Sequence, residues 1–141
     1  MTGFKQFICT TAGVIGAGIA SIFGGWSASM TTLIIFLAID YITGIIVAGV
    51  FKKSPKSDNG GLESKAGLKG LLRKGAELLL VLVACRLDIL IGSNYCRDAT
   101  VIALCVNETI SIIENVGVMG VPIPEPIRKA IARLRNTDKK E

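Results

Sequence analysis

Histidine is absent from the 141 residues. Without it there is no histidine-based triad or general base, and the usual mixed cysteine–histidine zinc sets are missing. Cys9, Cys85, Cys96 and Cys105 contain no Cys-x-x-Cys pair. Three of them fall inside apolar segments and read as small apolar filler, while Cys96, beside an expected loop, is the one placed to react or cross-link. The glycines of "KAGLKGLLRKG" lack the GxxxxGK[ST] spacing of a phosphate-binding loop. No catalytic residue, metal ligand or cofactor site is assigned on these grounds, and no enzyme is expected. Charge is also missing from the whole stretch between Lys5 and Asp40. A soluble domain rarely carries such a run, whereas ~20 apolar residues suffice to cross the ~30 Å hydrocarbon core of a bilayer.

What is present is apolar surface in blocks and basic charge between them. The chain is 50% hydrophobic, with mean hydropathy +0.56 and a net charge of +5. The expected fold is all-α, a single membrane domain over 1–141 with four transmembrane helices at about 7–25, 32–51, 75–95 and 99–120. Segment one is rich in small residues: Ala12, Gly16, Ala20 and Gly24 form one ridge, and Gly13, Ala17 and Ser21 a second beside it. Such ridges let another helix approach closely. The same segment also fits a secretory signal peptide, with Lys5 before it and Ser27, Ala28 and Ser29 as a cleavage region. Three spans remain if segment one is cleaved or peripheral.

The loop 52–74 carries Lys52, Lys53, Lys65, Lys69, Arg73 and Lys74, and the tail 121–141 carries Arg128, Lys129, Arg133 and Arg135. Basic blocks of this kind also occur in nucleic-acid binders. Here they flank apolar segments, so they are read as membrane-surface charges held on the cytoplasmic side, with no nucleic-acid partner. Both termini are then cytoplasmic. In the tail, Ile127, Ala130, Ile131 and Leu134 share one helical face opposite the basic residues, which suits an amphipathic helix lying on anionic lipid.

The charges inside the spans are the candidate site. Asp40 lies eleven residues from Phe51, roughly 16 Å deep at 1.5 Å per residue. Counting from Gly75 and Gly120 places Arg86 and Glu108 at about the same depth. A charge at the bilayer centre costs a few kcal/mol even on the gentlest scale. An Asp40–Arg86 or Glu108–Arg86 pair is therefore expected, with Asp88 adding negative charge to the layer. Asn107, Glu108, Ser111, Glu114 and Asn115 recur at helical spacing as one polar stripe. Such a stripe lines a pore or a polar helix–helix interface. It would also suit plain structural glue, or a helical hairpin buried in an oligomer that never spans.

The series "LAIDYITGII", "SKAGLKGLLRK", "RLD" and "NETISIIENVGVMGVPIPEPI", followed by a basic tail, resembles the phage lysis and toxin-secretion holins over about residues 33–135. The positions that carry the resemblance are Asp40, Tyr41, Gly44, Gly67, Gly70, Asn107, Glu108, Ser111, Glu114, Asn115, Gly120, Pro122 and Pro124. The resemblance implies a protein that homo-oligomerises in the bacterial cytoplasmic membrane and opens lesions for an exported endolysin or toxin. It brings no catalytic residues. Two other functions fit the same segments: a small ion- or proton-coupled transporter or channel, and a non-conducting antiholin-like regulator.

Overall fold

The structure, a computed structural model, describes residues 2–138, apart from the side chains of residues 134, 135, 137 and 138. The described chain is all-helical: α1 (Thr2–Ile22), α2 (Ala28–Gly49), α3 (Ser64–Ile91), α4 (Tyr95–Val118) and α5 (Glu125–Asp138). Three of these, α1, α2 and α4, are long and apolar enough to cross a membrane by length and composition. In α3, the three charges Glu77, Arg86 and Asp88 in its apolar half dilute the hydropathy, so composition alone does not qualify it.

The helix boundaries differ from expectation most at α3, while α1, α2 and α4 begin five, four and four residues earlier than expected. A basic loop over 52–74 followed by a span at about 75–95 is the expectation from the sequence. The chain instead forms one continuous helix of 28 residues, about 42 Å long. No proline or turn dipeptide interrupts "SKAGLKGLLRKGAELL", so the charges alone do not break it. The helix ends at Gly92, whose φ of 67° is left-handed, and Ser93 N–H closes on Asp88 C=O at 2.9 Å. This glycine-ended closure satisfies orphan carbonyls at a helix terminus. It is tight enough that α4 begins at Tyr95, four residues earlier than expected.

Asp88 explains why α4 starts there. Its carboxylate accepts from the Cys96 and Arg97 backbone N–H groups, each at 2.9 Å, and from Ser93 Oγ at 2.6 Å. The free N–H groups of a new helix favour a negative charge, and here the preceding helix supplies it. At the start of α2, Ser27 Oγ accepts from Met30 N–H at 3.2 Å as an N-cap. The hydroxyls of Thr32 and Thr43 bond back to carbonyls four residues earlier, at 2.9 and 2.8 Å, so neither needs water.

Helices α2, α3 and α4 form the packed body. Helix α4 packs along both α2 and α3, whereas α2 and α3 meet only briefly. Ser27 lies against Arg97 and Thr43 against Asn115, so α2 and α4 run in the same direction, with α3 antiparallel between their ends. The core joins Met30, Leu33 and Leu37 of α2 with Val81 of α3 and Val101 of α4. Spacings of three, four and seven residues put each set on one helical face. Outside, the surface is apolar: Ile35 and Ile42 of α2, and Leu79, Leu80, Val83 and Leu90 of α3 all point away, Leu90 at 80% exposure. Helix α1 has no buried residue, and neither α1 nor α5 packs extensively on another helix.

Candidate functional site: a buried polar layer bridged by a lysine

The body has its charges inside and its apolar residues outside. Asp40 and Glu108 are 5% and 3% exposed. Between them sits the ammonium of Lys74, 2.6 Å from Asp40 Oδ2 and 2.6 Å from Glu108 Oε2. The Lys74 side chain is 13% exposed, so the lysine is a structural partner rather than a surface charge. Asn115 completes the layer. Its Nδ2 donates to Asp40 Oδ1 at 3.1 Å and to Thr43 Oγ1 at 3.0 Å. Tyr41 reaches across from α2 and donates to Gly67 C=O at 3.3 Å, its ring lying over Gly70. The absence of side chains at Gly67 and Gly70 is what lets the tyrosine close against α3.

Each helix contributes at nearly the same depth. Asp40 lies nine residues before Gly49, Glu108 ten before Val118, and Lys74 ten after Ser64. The layer thus sits roughly 14–15 Å from one end of all three helices, near the middle of the ~30 Å core if they span. A cavity of about 290 Å³ adjoins it, lined by Asn107, Glu108, Ser111, Glu114 and Asn115 of α4 and by Lys56 and Ser57 of the preceding loop. One ammonium faces two carboxylates here, and a third acid is close by. Glu77 stands three residues after Lys74, its Oε1 3.4 Å from Arg73 Nε and its Oε2 buried without a partner among the described residues. Burying charges costs free energy unless they are paired and hydrogen-bonded, so the layer depends on the bonds its members make to one another.

Several expected placements are corrected. The cation between the acids is Lys74, not Arg86. Arg86 is exposed and lies twelve residues, about 18 Å, further along α3. Counting depth from Gly75 rather than from Ser64 put Arg86 in the layer and left Lys74 in the loop. Asp88 is likewise outside the layer, capping α4 at the far end. Of the stripe on α4, Glu108, Ser111 and Asn115 face the body, while Asn107 and Glu114 are exposed at the cavity rim.

The ridge residues Ala12, Gly13, Gly16, Ala17, Ala20 and Ser21 lie on α1, which has no buried residue and packs extensively on no other described helix, while Gly24, just beyond its end, approaches Cys85 and Arg97. Lys52, Lys53, Lys65, Lys69, Arg73, Arg128, Lys129 and Arg133 are exposed. The side chain of Arg135 lies outside those described. The signal that finds Lys74 is the series Gly67, Lys74, Val81 and Asp88 at seven-residue steps, which puts a basic residue on the packed stripe of α3. Lys65, Lys69 and Arg73, at four-residue spacing, share the neighbouring exposed ridge.

The chain belongs to the bacteriophage holin family, whose profile matches residues 17–136. Its relatives include an uncharacterized protein of Clostridium perfringens, 41% identical over 133 residues, which make up 92% of this chain and 93% of that one. An uncharacterized Listeria monocytogenes protein is 35% identical over 122 residues, 84% of this chain and 81% of its own. A probable holin of Bacillus phage phi105 is 35% identical over 96 residues, 67% of this chain and 65% of its own. No solved structure matches. The match begins inside α1, further toward the N-terminus than the motifs alone reach. Family membership together with the apolar helices makes this a membrane protein, and it speaks for a non-enzymatic one.

Proposed function

We propose that the chain is a holin-like protein that assembles with copies of itself in the bacterial cytoplasmic membrane and permeabilises it for an endolysin or toxin. The observation that carries this reading is the Asp40–Lys74–Glu108 layer, buried in a body whose outer surface is apolar. A protomer of this kind dissolves in lipid because its polar groups bond to one another. On assembly the same groups, already next to a cavity, offer water a surface along α4.

Helix α3 is read as a fourth span. Its acids Glu77 and Asp88 and its Lys74 turn toward α2 and α4, which leaves an apolar outer face broken by Arg86. Four spans place both basic regions and both termini in the cytoplasm, in line with the bias of Lys and Arg toward that side. Helix α5, with Ile127 on one face and Arg128, Lys129 and Arg133 elsewhere around it, is read as resting on anionic lipid.

Inducible expression in bacteria, with membrane potential and growth followed together, tests the function. A delayed, sudden collapse of potential is expected, with lysis only when a muralytic enzyme is co-expressed. Polarised, growing cells with the protein confirmed in the membrane would overturn it. The cavity beside Asp40 and Glu108 favours one second reading, a small cation- or proton-coupled transporter. Substrate-dependent proton movement in vesicles without loss of potential would favour that reading. Failure to kill when expressed alone, with altered timing of another holin, would favour the antiholin-like regulator.

A further inference from the structure

The end of the body opposite the lysine layer holds a second polar assembly, built around Arg97. Its guanidinium donates to three acceptors of the α1–α2 turn: Gly24 C=O at 3.1 Å, Gly25 C=O at 2.9 Å and Ser27 Oγ at 3.1 Å. Both glycines have left-handed backbones, with φ of 77° and 93°. The chain can leave α1 at this angle because glycine adopts such conformations without steric cost. A side chain at Gly24 would also have no room, since a Cβ there would lie 2.9 Å from Cys85 Sγ.

The donor is itself held in place. The backbone N–H of Arg97 binds Asp88, and Asp88 is bonded to Ser93 and to the Cys96 N–H. Ser27, the third acceptor, is the N-cap of α2. Arg97 therefore ties the α1–α2 turn to the start of α4 and, through Asp88, to the end of α3, beside two weaker holds on the same end of α1: Phe23, packed on the core, and Cys85 Sγ, which donates to Ile22 C=O at 3.6 Å. Its Nε is buried without a partner among the described residues. Beyond this turn α1 has no buried residue and no extensive packing on any helix. The angle of a 21-residue helix is thus set at one end only.

We infer that Arg97 is a catch: its guanidinium, closed on Gly24, Gly25 and Ser27, fixes α1 against the body, and its release frees α1 to swing about the Gly24–Gly25 hinge. On the proposed topology Arg97 is a basic residue on the outer side, against the usual bias. The three bonds to the turn give that placement a structural reason. A planar, forked guanidinium can meet two successive carbonyls at once, which a single ammonium cannot do with the same geometry. The inference concerns one protomer and does not rest on the permeabilising function.

The test uses the full chain in lipid bilayer discs, with nitroxide labels on Cys9 in α1 and on Leu72→Cys in α3, both exposed sites. Cys96 and Cys105 are replaced by Ala, Cys85 stays buried and unlabelled, and labelled protein is diluted with unlabelled chain. Pulsed dipolar measurements give the α1–body distance distribution. It should be narrow with Arg97. In Arg97→Gln it should broaden to about twice the width as the glycine hinge absorbs the motion, and Arg97→Lys should fall between. A control pair inside the body, Ile39→Cys with Leu80→Cys in a Cys9→Ala background, should be unchanged by Arg97→Gln. An unchanged Cys9 distribution would overturn the catch. So would equal broadening of both pairs, since Arg97 would then be a general stabiliser. Failure of the holin function instead appears as an unmodified chain that does not permeabilise cells.

Discussion

At the residue scale the central feature is one ammonium shared by two buried carboxylates. Moving an ion out of water costs several kcal/mol, and mutual attraction offsets this only when geometry is good and the remaining valences are filled. Both Lys74 contacts are 2.6 Å, and Asn115 fills a further position on Asp40. Removing the lysine is therefore worse than removing the layer. Lys74→Met should destabilise the fold by about 3–5 kcal/mol, because two carboxylates are left facing each other unpaired. Adding Asp40→Asn and Glu108→Gln to Lys74→Met should recover most of that loss. Thermal unfolding in detergent, read from the helical circular dichroism signal, measures both steps. A Lys74→Met protein as stable as the parent would mean the bridge is not formed. The lysine was hard to find in the sequence because its neighbours Lys69, Arg73 and Lys65 make the whole run look solvated. Asp40 and Glu108 stood out because each interrupts a long apolar stretch.

At the scale of the elements, α2 and α4 were legible for a simple reason. Their apolar runs are long, and their polar residues fall at helical spacing. The length of α3 is not, because its charge density suggests a break where no backbone signal supports one. That matters for topology. If α3 spans, its two ends lie on opposite sides of the membrane. Lys65→Cys and Asn94→Cys, each in a chain whose native cysteines are replaced by Ala, should then differ in reaction with a membrane-impermeant maleimide. In intact spheroplasts Asn94→Cys should label and Lys65→Cys should not, and inverted vesicles should reverse the pattern. Labelling of both sites from the same side would mean α3 returns without crossing. Helix α1 is a different case. Its small-residue ridges suit an association face, and within the protomer α1 packs extensively on no other described helix. Its attachment through Arg97 could not be seen in advance, since nothing in the spacing links residue 97 to residues 24–27.

At the scale of the whole molecule, a lipid-soluble unit can carry only as much polar surface as it can bond internally. Each protomer hides Asp40, Glu108 and Lys74 and shows apolar side chains outside, so it is stable before assembly. The cavity beside the layer is where water would enter first, because it already exposes Asn107 and Glu114 at its rim. On the proposed holin function, the step from closed unit to open lesion would involve rehydrating the layer, with a barrier that depends on the charge held there. Asp40→Asn or Glu108→Gln keeps the shape and removes one carboxylate, which leaves the ammonium with a single ionised partner. Either change should shift the onset of lysis by many minutes without preventing membrane insertion, since removing a charge at the bilayer centre eases insertion by a few kcal/mol. Culture turbidity after synchronous induction, normalised to the amount of protein in the membrane fraction, gives the onset. Equal onset times for the parent and both variants, at equal protein levels, would place the layer outside the opening step and leave it a role in folding alone.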